Sequence, residues 1–145
     1  MHFPEKGDYF FVSTIRREMV FVIDRKTQEI VKRIKVGRCR QIASDETGNI
    51  LYIPVTDANG KRLVVADVEQ GRALGYVELP RRCEVIEMNP FYDRLYLVDT
   101  SGEGWLICID VKSIDLKEKT AKIIFEEMLN GEFKDIDIRP MGGRS

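Results

Sequence analysis

Four arginines stand in two short stretches, Gly37-Arg38-Cys39-Arg40 and Pro80-Arg81-Arg82-Cys83. A guanidinium presents a planar fork of N–H donors that matches carboxylate or phosphate oxygens. Arg38, Arg40, Arg81 and Arg82 are therefore the candidate ligand-binding residues, for an anionic small molecule or an acidic peptide. Each stretch also holds a cysteine, and neighbouring arginines favour a thiolate. Yet Cys39, Cys83 and Cys108 form no CxxC pair, and with a single histidine, His2, they make no zinc ligand set. Packed thiols are the expected state. No catalytic residue is assigned and no cofactor is expected: His2 lies in a terminal turn, and the sequence contains no GxSxG, HExxH, phosphate-cradling glycine loop or dinucleotide fingerprint. Glu87, Asp135 and Asp137 offer acidic groups, but a hard cation needs several oxygens at fixed geometry, so no metal site is predicted.

The elements that carry these residues repeat. Asp24, Asp67 and Asp110 close the apolar runs MVFVID, LVVAD and LICID at equal intervals of 43 residues. Upstream lie DYFFVST, NILYIPVT and RLYLVDT, aligned on Tyr9, Tyr52 and Tyr96. Downstream lie QEIVKRIKVG, GRALGYVEL and KTAKIIF, followed by CRQIASD, CEVIEMNP and FKDIDIRP, aligned on Ile42, Ile86 and Ile136. The longer last interval places an insertion in EEMLNGE. Four short β-branched or aromatic strands per unit is the signature of a β-propeller blade. Residues 117–130 also admit a helix capped by Gly131, which would cost the third blade its outer strand. Each recurring aspartate is expected to bond the backbone two residues on, as a turn former rather than as chemistry. Trp105, Phe10, Phe11 and Phe21 follow strand periodicity and are expected between blades.

The stretches VFVIDRKTQEIVKRIKVG and GNILYIPVT resemble YVTN-type propeller repeats, which share their physics with NHL repeats. The likeness runs from about residue 7 to 143. The proline that often follows the family's glycine is replaced after Gly37 by Arg38, and the Tyr-Val-Thr-Asn element stands as Tyr52-Ile53-Pro54-Val55. The resemblance implies an all-β fold of three four-stranded blades, in repeats of about 7–48, 49–93 and 94–143 of one domain, 1–145. It lends no single activity.

Propellers close with about four to eight blades. Three in an arc leave two apolar faces to cover, so a homodimer forming a six-bladed ring is expected. The opening HFPEKG matches the turn MNPFYD, and IRPMGG matches it again. The first blade is thus expected to lack its innermost strand, with residues 134–139 swapped beside Tyr9–Thr14 of a second copy. The rival readings are a piece of a longer propeller and an arc docked on another protein.

In such a ring the loops before each inner strand gather on one face, where the arginines converge and a dimer would double them to eight. Arg16 and Arg17 extend the patch, whereas Asp57, Asp99 and Glu103 oppose it. The 145 residues carry 23 Lys plus Arg against 24 Asp plus Glu, a net charge of −1. That balance supplies no field for nucleic acid or a membrane surface. No run approaches the ~20 apolar residues of a membrane span, and the charged N-terminus argues for a cytoplasmic protein without a leader. The expected function is a non-catalytic binding or assembly module whose partner is a protein or an anionic small molecule. The competing reading is a small-molecule enzyme or sensor, lyase- or hydrolase-like, that uses the same face.

Overall fold

The computed structural model describes residues 1–89, 91–102 and 104–129. The strands are β1 (Tyr9–Thr14), β2 (Met19–Asp24), β3 (Ile30–Lys35), β4 (Ala43–Ser44), β5 (Ile50–Asp57), β6 (Gly60–Asp67), β7 (Arg72–Glu78), β8 (Val85–Asn89), β9 (Arg94–Asp99), β10 (Trp105–Asp110) and β11 (Ile123–Met128). They form three antiparallel sheets, β1-β2-β3, β4-β5-β6-β7 and β8-β9-β10-β11, in which order along the chain is order in space. These are three consecutive blades of a β-propeller, stacked face to face.

Side-chain alternation along the strands decides what lies between sheets. From the first blade, Phe11, Val20, Val22 and Ile34 pack against Leu51, Ile53, Val55, Val64 and Ala66 of the second. The second blade's other face, with Tyr52, Leu63, Val65 and Val77, meets Ile86, Leu95, Leu97, Ile107 and Ile109 of the third. Because the middle sheet is covered on both faces, Leu51 to Val55 are all buried and the strand reads as a continuous apolar run rather than an alternating one. The peripheral strands β3 and β11 keep most of their residues exposed.

Two sequence expectations change. The ladders pair Phe11 with Val22, Tyr52 with Val65 and Tyr96 with Cys108, so the equivalent of Tyr52 and Tyr96 is Phe11, not Tyr9. The cause is hairpin length: beyond Phe11 and Val22 the first hairpin has three more pairs and a four-residue turn, whereas beyond Tyr52 and Val65 the second has five more pairs and a two-residue turn, so the first is two residues shorter. The insertion of the third blade lies in the β10–β11 connection rather than in EEMLNGE, since Glu126 and Glu127 pair with Ile107 and Leu106 inside the ladder. That connection forms a single 3-10 turn, Val111–Ser113, and a bridge between Asp115 and Thr120. It packs Val111, Ile114 and Leu116 along the second interface, and the absence of a Cβ at Gly75 admits Leu116. Ile123–Met128 is the outer strand expected of KTAKIIF, and the alternative helix over 117–130 does not form, so the third blade keeps its outer edge.

The innermost strand of the second blade is only two residues long. Pro54, opposite the position where β4 would continue, has no N–H to offer, and Gln41 turns instead to accept from Ile86 N at 3.0 Å. The first blade has three strands, and its inner edge is met by the chain's own N-terminal segment: His2 and Phe11 exchange backbone hydrogen bonds of 2.7 and 2.9 Å. A swapped strand beside Tyr9–Thr14 would meet His2 there. Residues 134–139, expected to supply that strand, lie outside the described residues.

Leu97 is fully buried between the second and third blades, whereas Phe91 is 57% exposed. Leu97→Ala is expected to lower unfolding free energy by about 3 kcal/mol, and Phe91→Ala by no more than about 0.5 kcal/mol, as read from urea unfolding followed by circular dichroism.

Candidate functional site

The loops between blades hold the arginines. After β3 the chain turns at Gly37, whose φ of 112° favours glycine and where a Cβ would approach Val55 Cγ1 to 2.8 Å. The turn is anchored by Val36 and Gly37 N–H donating to Glu18 O in the β1–β2 hairpin, and by Ser13 Oγ donating to Arg40 O at 2.9 Å. The exposed Arg16 and Arg17 occupy that same hairpin. In the next blade, Leu79 N donates to Lys61 O and fixes the matching loop beside the β5–β6 hairpin.

Three of the four predicted residues come together. Arg38, Arg40 and Arg82 line a shallow pocket of about 30 Å³ with Pro54, Thr56, Cys83 and Glu84. Arg38, Arg40 and Arg82 are exposed, and among the described residues the one carboxylate on the rim, Glu84, lies 3.3 Å from Arg82 Nη2. Arg81 points away. Its guanidinium lies 3.6 Å over the Trp105 ring and its Nε donates to Glu126 at 2.5 Å, so it is a pin between blades rather than a lip of the pocket. Trp105 accordingly sits beneath Arg81. Phe10 and Phe21, expected between blades, lie half-buried on the outer face of the first one, because their parity is opposite to that of Phe11 and Val22.

The opposing acids are largely spent on local bonds. Asp57 pairs with Arg62 Nη2 at 2.6 Å, and Asp99 Oδ1 accepts from Ser101 N at 2.9 Å. Glu103 lies outside the described residues. The recurring aspartates cap turns as expected: Asp24 Oδ1 accepts from Lys26 N and Thr27 N, Asp67 Oδ1 from Gln70 N, and Asp110 Oδ1 from Lys112 N. Those N–H groups, Thr27 first, hold the Asp24 carboxyl below its ordinary value.

Cys39 and Cys83 are buried beneath the arginine loops, and burial dominates over the neighbouring cations. It pushes the thiols up, to about 11 for Cys39 and about 12 for Cys83. Cys108 is buried and also raised. Among the described residues no group of His, Cys, Asp or Glu is placed to hold a metal ion.

At the opposite end of the blades is a cavity that sequence reasoning missed. It measures about 200 Å³ and lies against the inner strands, lined by His2, Phe3, Ser44, Glu87, Asn89 and Phe91 among others. Asp135 and Asp137, expected beside Glu87, lie outside the described residues. His2 reaches the cavity because Arg25 holds the N-terminal segment, donating from Nη2 to Pro4 O and from Nε to Tyr9 O. His2 Nε2 meets Ser44 Oγ at 2.7 Å, and that hydroxyl donates its one proton to Asp45 O. Nε2 must therefore be the donor to Ser44. A nucleophile and its general base require the reverse direction. Burial, with the terminal ammonium and Arg25, lowers His2 to about 4.

No family model and no curated protein sequence matches the chain. Solved structures do. Hydrazine synthase of Kuenenia stuttgartiensis superposes with a TM-score of 0.68 at 16% identity over 84% of this chain and 33% of that one. Apo AztD of Citrobacter koseri superposes with a TM-score of 0.64 at 18% identity over 89% of this chain and 34% of that one. Both have propeller-like folds, and the likeness is one of fold. The chain spans about a third of the length of each. No helix among the described residues is long and apolar enough to cross a membrane.

Two measurements check the electrostatics. With all three thiols buried and raised, folded protein at pH 8 is expected to react with Ellman's reagent far more slowly than denatured protein. His2 is the only histidine, so its ring proton resonances identify it, and they should titrate near 4 rather than 6.5. The unfolded chain then takes up the proton first as pH falls. The contribution of neutral His2 is whole above about pH 6.5 and is lost between there and about pH 4.

Proposed function

We propose that this chain is a binding module whose pocket of Arg38, Arg40 and Arg82 takes the carboxylate or phosphate group of an acidic partner. The observation that carries this reading is the division of labour among the arginines. Arg81 and Arg62 are held by Glu126 and Asp57, while Arg38, Arg40 and Arg82 surround one pocket with, among the described residues, a single rim carboxylate, Glu84. Guanidinium groups clustered on rigid interblade loops need little ordering before they clasp an oxyanion. The donor direction at Ser44 favours binding over catalysis. Kinship with YVTN-type repeats accords with the blade pattern, and three free thiols suit the reducing cytoplasm, where we place the protein.

An acidic peptide, hexa-aspartate, and inorganic phosphate are suitable probes. Titration of the wild-type chain by calorimetry at low salt is expected to show binding that weakens as salt rises. Arg38→Ala combined with Arg82→Ala is expected to weaken it by roughly tenfold or more, in line with the ~2 kcal/mol or greater loss seen when charged hydrogen-bond partners are removed. Affinity unchanged in that double variant would remove the pocket from consideration.

A further inference from the structure

The ladders assign each blade a forward face and a receiving face. The second blade receives the first on Leu51, Ile53 and Val64, and the third receives the second on the equivalent Leu95, Leu97 and Ile107. The same register positions in the first blade are Phe10, Val12 and Phe21. Among the described residues no further sheet covers this face: all three side chains are half-buried, and Phe3, 55% exposed, stacks on Phe10 at 4.6 Å. The first blade thus carries a receiving surface built to the pattern of the two that are filled.

The forward face of the third blade departs from its two predecessors at one informative position. Ile34 pairs with Val20, Val77 with Leu63, and Glu127 with Leu106, so Glu127 stands where the filled junctions have an aliphatic side chain. On the receiving side, Tyr76 packs in the same cluster as Ile34. The position equivalent to Tyr76 in the first blade is Arg33, since Tyr76 pairs with Val64 and Arg33 with Phe21. Arg33 and Glu127 are both exposed. Among the described residues neither is in an ion pair with another side chain, and Arg33 rests only over the Phe21 ring at 5.9 Å.

We infer that the outer face of the first blade is the docking surface for the third blade of a second copy of this chain, with Arg33 of one copy facing Glu127 of the other. Two such junctions close six blades into a ring, within the range at which propellers close. The charged pair takes the positions that Ile34 and Tyr76 occupy at the first internal junction, and like-charge contacts there would oppose wrong pairings such as first blade on first blade. This inference does not depend on the arginine pocket.

Sedimentation velocity of the full 145-residue chain across a micromolar concentration series tests it. A dimer is expected. Arg33→Glu and Glu127→Arg, each at an exposed site, are expected to weaken dimerisation by roughly tenfold or more through like-charge contact, with far-ultraviolet circular dichroism showing the fold retained. Combining the two substitutions restores the dimer. A monomeric wild-type chain overturns the inference, as does association that neither single substitution weakens or that the combined variant fails to recover.

Discussion

A β-sheet with apolar side chains on both faces is stable only when both are covered, and the structure is organised by that requirement. The middle blade meets it fully. Its central strands are apolar at successive positions because they have no solvent face to supply with polar groups. Among the described residues the flanking blades share one such junction each with it, where Phe11 and Leu97 are excluded from solvent completely. Burial of such side chains contributes roughly 1.5–3 kcal/mol each, far more than any exposed ion pair. The stacking of blades is therefore decided by strand parity, and the charged residues arrange themselves around it.

The arginines illustrate how packing sorts identical side chains into different roles. Arg62 and Arg81 are drawn over aromatic rings, Tyr76 at 5.5 Å and Trp105 at 3.6 Å, and each also finds a carboxylate. Stacking plus ion pairing at a partly desolvated site holds them against the sheets. Arg38, Arg40 and Arg82 stand on turns with no ring beneath them among the described residues and remain exposed. Beneath the loops that carry these arginines, Cys39 and Cys83 are governed by the low polarity of the interior, which at Cys83 outweighs the opposing charge of Arg81.

The blade pattern was legible because it depends on local rules: alternation, turn chemistry and equal spacing. Asp24, Asp67 and Asp110 marked the turns correctly, since an aspartate bonding the backbone two or three residues on needs nothing distant. Alignment on tyrosines failed at Tyr9 because the first hairpin is two pairs shorter than the second, which its longer turn only partly offsets. EEMLNGE looked like an insertion because spacing alone shows that the last interval is longer, not where in it the extra residues fall; the ladder pairs Glu126 and Glu127 and leaves the extra residues between β10 and β11. The Arg38, Arg40 and Arg82 cluster was readable from matching loop positions. The axial cavity was not, because His2 reaches Ser44 only through the fixing of the N-terminal segment by Arg25 and through its bridge to Phe11.

By itself, then, the sequence determined the number of blades, their strands and the loops that bear the arginines, because each follows from contacts between residues near one another in the chain. Tertiary structure alone decided which arginine is structural, which thiols are suppressed, and where the lone histidine stands. Those outcomes depend on which side chains from different blades meet, and on how much water is left between them.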